Sequence, residues 1–170
     1  MTDTPTITTR RLRLRPWREA DVGPLFRILL NEETLRYFPA GPVPTRPRIA
    51  GLVARQLIHW ARRGYGWWAV EELAVEGKLC GWCGLQYLLE TGETEVAYLL
   101  DKPCWGRGLA TEGAGAAVKF GFEVVGLDSI VGLIHPDNLA SGRVLEKSGL
   151  IFTRKQKYFG MTCCRYAIMK

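Results

Sequence analysis

The segment Trp105-Gly106-Arg107-Gly108-Leu109-Ala110-Thr111-Glu112 has the residue types and spacing of an anion site. It follows a strand-like run, Val96-Ala97-Tyr98-Leu99-Leu100, and opens a helical pattern over residues 109–122. Glycines let the main chain pass close to a bulky guest, and the first amides of a helix have no partner inside it. Those amides stand at the positive end of the helix dipole, so phosphate or diphosphate is the expected ligand. Arg107 adds a full charge and is expected to contact it. Two familiar phosphate loops do not fit. A P-loop needs Lys and Ser or Thr after its second glycine, whereas Gly113 is followed by Ala114 and Gly115. A dinucleotide fingerprint needs glycine where Thr111 stands. Its ribose-binding acid should end an apolar run, and Asp128 precedes one (Ile130 to Ile134).

A second group, His135-Pro136-Asp137-Asn138, closes that run, and Asn138-Leu139-Ala140-Ser141 then starts a short helix ending near Gly149-Leu150. With the glycine turn, it resembles the GNAT superfamily of acyl-CoA-dependent N-acetyltransferases. The family's loop, Gln/Arg-x-x-Gly-x-Gly/Ala, is matched from Trp105 through Gly108 to Ala110, with Trp105 replacing Gln or Arg. Its Asn-x-x-Ser/Ala helix and Gly-Phe-like step are matched by Asn138, Ser141, Gly149 and Leu150. The run Thr8-Thr9-Arg10-Arg11-Leu12-Arg13-Leu14-Arg15 and the Trp-Gly-Arg-Gly-Leu-Ala-Thr-Glu spelling resemble one branch more closely. That branch is typified by the ribosomal-protein N-terminal alanine acetyltransferases (the Rim type). The resemblance extends from about Thr8 to Tyr166.

The resemblance implies acetyl-CoA as cosubstrate and direct attack by a primary amine, with positioning of two bound reactants supplying much of the acceleration. Residues Trp105, Gly106, Arg107, Gly108, Leu109, Ala110 and Thr111 are expected to hold the cofactor, mostly through backbone amides. Amides near Leu99, Leu100 and Asp101 are expected to polarise the thioester where the strand splays from its neighbour. Asn138 caps its helix and, by family role, bonds the pantetheine amide. Relatives often carry a tyrosine four residues before the helix-ending glycine, as acid to the departing thiolate; here that residue is Leu145. Ser141 is then the nearest matched donor.

Glu95 is the first candidate base. Strand alternation sets Glu95, Ala97 and Leu99 on one face, and a carboxylate beside an apolar site has a raised pKa. His135 is the second candidate, since imidazole titrates near neutrality. The branch points to a protein or peptide N-terminus as acceptor. The alternatives are a small amine (polyamine, amino acid or antibiotic) or a CoA-binding module without turnover. Aromatic residues Trp67, Trp68, Trp82 and Tyr87 on the middle strands, and Tyr37 and Phe38 in a proline- and glycine-rich entrance segment, are core or acceptor-pocket residues.

The elements that must position these groups read as α+β. Strands are expected at 7–15, 66–73, 78–88, 94–101, 128–135, 150–158 and 162–169, and helices at 19–31, 45–63, 108–124 and 138–147. Hairpin turns are expected at Glu76-Gly77-Lys78 and Glu90-Thr91-Gly92-Glu93. The resemblance implies a twisted, mostly antiparallel sheet of about seven strands flanked by helices, with the cofactor loop after the fourth. The chain has 170 residues, 47% of them apolar, without a transmembrane-length apolar run, which suits one domain over 1–170.

The opening Met1-Thr2-Asp3-Thr4-Pro5 lacks signal-peptide character, so a cytoplasmic protein without membrane contact, monomeric or homodimeric, is expected. A formal charge of +6 invites nucleic-acid binding. Arg11, Arg13 and Arg15 alternate with Leu12 and Leu14, however, and read as the solvent face of a half-buried strand, so no nucleic-acid partner is expected. The Cys80-Gly81-Trp82-Cys83 pair sits in a strand, where residues three apart face opposite ways. No metal and no disulfide framework is expected.

Overall fold

The computed structural model describes residues 4–75 and 77–170. One eight-stranded sheet runs in the order β1-β2-β3-β4-β5-β6-β8-β7. The expected first strand is instead a tight hairpin, β1 (Ile7–Thr8) against β2 (Leu12–Arg15). Thr9 closes it: its N–H donates to Leu12 C=O at 2.9 Å and its hydroxyl accepts the Leu12 N–H at 3.0 Å. Strands β3 (Trp67–Glu72), β4 (Leu79–Tyr87) and β5 (Thr94–Leu100) continue the antiparallel ladder. β6 (Ser129–Ile134) joins β5 in parallel, and β7 (Ile151–Tyr158) and β8 (Met161–Met169) complete the far side. The turn expected at Glu76-Gly77-Lys78 includes Glu76, outside the described residues, as do Met1, Thr2 and Asp3 of the opening segment.

Both faces of the central strands are covered. Trp68, Val70, Val96 and Leu100 pack into one apolar cluster with α4 (Leu109–Phe120) and α5 (Leu139–Lys147). Ala69 and Leu99, the alternate residues, pack into a second with α1 (Val22–Leu29) and α3 (Arg46–Arg63). Burial on both sides explains why β3 and β4 read as nearly unbroken apolar runs. In α3 the buried stripe is Ile49, Val53, Gln56 and Trp60, while Leu57 is exposed. Thr45 caps this helix by accepting the Arg48 N–H, and Gly64 ends it in the left-handed region.

Two expected helices are broken. The 19–31 pattern divides into a 3-10 turn (Glu19–Asp21) and α1, after which Asn31 caps the short α2 (Glu32–Leu35) through the Glu33 N–H. The 108–124 pattern is regular only to Phe120 and then widens into a π turn, Gly121–Val125. No helix of the described residues is long and apolar enough to cross a membrane.

The arginine face is solvated only in part, with Arg11 and Arg13 partly exposed and Arg15 buried. Arg15 is 3% exposed, its guanidinium bridging Asp21 at 2.7 Å and Glu71 at 2.6 Å. Arg11 binds Glu112 of α4 at 2.7 Å, and Arg13 lies 3.6 Å from Glu71. The residues opposing these arginines across β3 and α4 are acidic, which alternation along β2 alone could not reveal. The cysteine argument changes too. β4 carries a bulge at Cys80, where Val70 pairs with Gly81 but Glu71 with Leu79. An extra residue resets the alternation, so Cys80 and Cys83 share one core cluster. All five cysteines are free thiols.

Candidate active site

The hydrogen-bond parity of β5 sets the site. Asp101 N–H donates to Cys80 C=O at 2.7 Å, and Leu88 N–H to Glu93 C=O at 2.8 Å, so odd-numbered residues of β5 face β4. Even-numbered residues face β6. Their shared register is one rung, Glu95 opposite Val131, and beyond it the strands part. Of the amides expected near Leu99, Leu100 and Asp101, that of Leu100 therefore turns to the opening, together with that of Tyr98. Those of Leu99 and Asp101 are directed at β4. The Leu100 carbonyl, on the open side, accepts the Trp105 indole N–H at 2.7 Å. That bond pins the loop to the end of the strand.

A cleft of about 540 Å³ fills this opening. Leu99, Leu100, Trp105, Gly106, Gly108, Leu109, Ala110, Thr111, Asn138 and Ser141 all line it, and so does Tyr98. Gly106 and Gly108 have φ of +69° and +75°, the left-handed region that favours glycine. The first bond of α4 runs from Glu112 N–H to Gly108 C=O, which leaves the Leu109, Ala110 and Thr111 amides without an intrahelical acceptor. The donor array suits a diphosphate. Arg107 is the exception. Its guanidinium makes a two-pronged ion pair with Glu72, it does not line the cleft, and its carbonyl accepts from Arg11. The phosphate contact expected of its side chain gives way to this pairing, because Glu72 at the end of β3 lies beneath the loop.

A second cleft of about 320 Å³ adjoins the first, and Tyr37, Phe38, Tyr98, Asn138 and Ser141 line both. Glu95 and His135 lie in it. Burial pushes the Glu95 carboxyl up to about 8, with a backbone hydrogen bond from Leu133 opposing the rise. Gln86, its partner across β4, has a buried side-chain oxygen without a hydrogen bond. His135 stacks on Tyr37, with ring centroids 5.5 Å apart, and its Nδ1 accepts the Asp137 N–H at 3.1 Å. One ring nitrogen is thereby occupied, and the other carries the proton in the neutral ring. This arrangement suits Glu95 better as the base.

At the junction, Asn138 Oδ1 accepts the Ser141 N–H at 3.2 Å, capping α5, and the Tyr98 hydroxyl donates to the Ser141 carbonyl at 3.0 Å. Leu145, where relatives have tyrosine, is buried and packs its side chain over Gly132. Sequence reasoning passed over two features here, Tyr98 and the β7–β8 hairpin. Tyr98 entered only as part of the strand-like run before the loop. Of the aromatic candidates, Trp67 and Trp82 line the second cleft, whereas Trp68 and Tyr87 pack with the core. The β7–β8 hairpin also supplies Phe159, Met161 and Cys163. The one sequence signal for this last group is a bulky residue before Gly160 in a turn. The described residues also contain one buried grouping of metal-ligand types, Glu72, Cys80 and Cys104, beneath the loop and without Cys83.

The model for the acetyltransferase (GNAT) domain family matches residues 11–151. The chain belongs to this family and is an acyltransferase. It is 30% identical over 155 residues to the protein YkkB of Bacillus subtilis, spanning 87% of this chain and 86% of that one. It is 28% identical over 156 residues to the FsC-acetyl coenzyme A-N(2)-transacetylase of Aspergillus fumigatus, spanning 86% of this chain and 65% of the relative. Among solved structures, an acetyltransferase from Agrobacterium tumefaciens superposes with a TM-score of 0.85 at 25% identity, covering 100% of this chain and 97% of that one. RimL, a ribosomal alpha-N-protein acetyltransferase in complex with coenzyme A, superposes at 0.79 with 18% identity, covering 97% and 98%, and shares the fold.

Proposed function

We propose that this protein, as one domain over residues 1–170, moves the acetyl group of acetyl-CoA directly to a primary amine in the cytoplasm. A protein or peptide N-terminus is the first choice of acceptor. The observation that carries this reading is the meeting of two clefts at Tyr98, Asn138 and Ser141, with unpaired helix amides at one end and Glu95 at the other. The turn Gly106–Ala110 would hold the diphosphate, and the freed edge of β5 would pair with the pantetheine amides. The Leu100 N–H would stabilise charge on the thioester oxygen, a contribution worth several kcal/mol in preorganised sites. Glu95 takes a proton from the incoming ammonium, directly or through a water. The amine nitrogen then bonds to the carbonyl carbon as the carbon–sulfur bond breaks; the Ser141 hydroxyl passes its proton to the leaving sulfur and is refilled by the second proton that the nitrogen loses on becoming an amide.

Calorimetric titration with acetyl-CoA and with CoA tests the holding half, and micromolar binding is expected. Failure of both ligands to bind would end the proposal. Thiol release measured across peptides and small amines tests the transfer half and separates an enzyme from a silent CoA-binding module. The small-amine reading draws support from the second cleft, which has walls on several sides, and from the Aspergillus relative whose name records an N(2)-transacetylase.

A further inference from the structure

The second cleft has a composition that speaks to the acceptor. Its walls are mostly apolar, with flat aromatic faces among them. Trp67 and Trp82 stack with centroids 3.8 Å apart and 13° between planes, and Phe38 meets Trp82 edge-on at 6.3 Å. Among the described residues lining it, Glu95 is the one carboxylate, and no lysine or arginine is present. An acceptor bringing its own carboxylate would meet no lysine or arginine in this lining, only the His135 ring, and a second ammonium would find no second acid.

The turn between β7 and β8 gives an independent observation. Tyr158 pairs with Met161, so the loop is the two residues Phe159 and Gly160, with φ of +52° and +76°. Such turns favour asparagine, aspartate or glycine at the first position, because a bulky side chain is strained in the left-handed region. Phe159 is the only non-glycine residue with positive φ among the described residues, and it lines the cleft. Its N–H donates to the Glu90 carboxylate at 3.4 Å, and the neighbouring Tyr158 hydroxyl bonds Glu93, so the turn is held against the β4–β5 loop. Backbone strain of this kind persists where its surroundings enforce it, often at ligand clamps.

Resting on the transferase reading above, we propose that this cleft selects an amine bearing a flat apolar group and no other charge nearby, with Phe159 as a specificity-determining wall. Two sources share that chemistry: a free arylalkylamine, and a peptide beginning with an aromatic residue.

The test measures thiol release from acetyl-CoA with 2-phenylethylamine, an amidated peptide beginning with phenylalanine, free phenylalanine, spermidine and ethylamine. The expected kcat/KM for 2-phenylethylamine or the peptide exceeds those for the other three by about tenfold or more. Whichever of these two is faster names the source. Equal or faster turnover of spermidine or free phenylalanine overturns the selectivity while leaving the transferase reading intact. No turnover of any amine overturns both. Phe159→Asn suits the turn, so its melting temperature should hold or rise. Its preference for 2-phenylethylamine over ethylamine should fall by about tenfold. An unchanged preference removes Phe159 from the wall.

Discussion

The Tyr98 hydroxyl donates to the main-chain carbonyl of Ser141 at 3.0 Å, tying β5 to the first turn of α5 where the two clefts meet. Burial raises the Tyr98 phenol above its ordinary range, so it stays a donor at neutral pH. The bond uses the Ser141 carbonyl and leaves its hydroxyl free for other work.

That division of labour makes two substitutions distinguishable. Tyr98→Phe loses a part-buried hydrogen bond and should lower unfolding free energy by about 0.5–1.5 kcal/mol, read by denaturant titration. Ser141→Ala keeps the tie and should leave stability nearly unchanged while slowing acetyl transfer about tenfold or more, with CoA still bound. Full activity in Ser141→Ala would return that residue to a purely structural place in the helix.

Glu95 has to be ionised to accept a proton. With its carboxyl at about 8, kcat/KM should climb with pH up to that value and level off above it. Glu95→Gln should cut turnover about 100-fold or more and abolish the climb, with acetyl-CoA affinity little changed. Unaltered turnover would remove Glu95 from the chemistry.

The same group makes an equilibrium prediction. Its folded value of about 8 lies above the ordinary 4.5, so between those limits the folded state holds a proton that the unfolded chain has released. This contribution to stability is complete below about 4.5 and is lost as pH rises through about 8. Glu95→Gln should remove that decline, seen as a flatter dependence of melting temperature on pH.

The Arg107 guanidinium is committed to Glu72. Arg107→Ala should therefore weaken CoA binding by less than about threefold, whereas an arginine on phosphate would lose tenfold or more. Gly108→Val, which strains φ of +75° beside the free amides, should weaken it by at least tenfold. Calorimetry measures both.

Arg15 joins Asp21 and Glu71 in a buried network, and none of the three lines either cleft. Arg15→Ala leaves two buried carboxylates without a cation and should cost about 3–5 kcal/mol of unfolding free energy in a denaturant titration. Loss below 1 kcal/mol would mean that water reaches those carboxylates, in conflict with their burial.

Local chemistry made much of this protein legible in its sequence. The order of strands and helices follows from periodicity, and the glycine turn before α4 follows from backbone rules that act over a few residues. The placing of Asn138 as a cap does too. Glu95 was reachable because alternation along one strand assigns a face. What lies opposite a residue is a different matter, since it depends on segments distant in sequence. Only the tertiary structure paired Arg15 with Asp21 and Glu71, moved Arg107 from phosphate to Glu72, and brought Phe159 over a cleft founded on β4 and β5. It also set the single rung between Glu95 and Val131 beyond which the sheet opens. Local propensity writes the elements, but burial and long-range pairing decide which charges meet and which amides are left free.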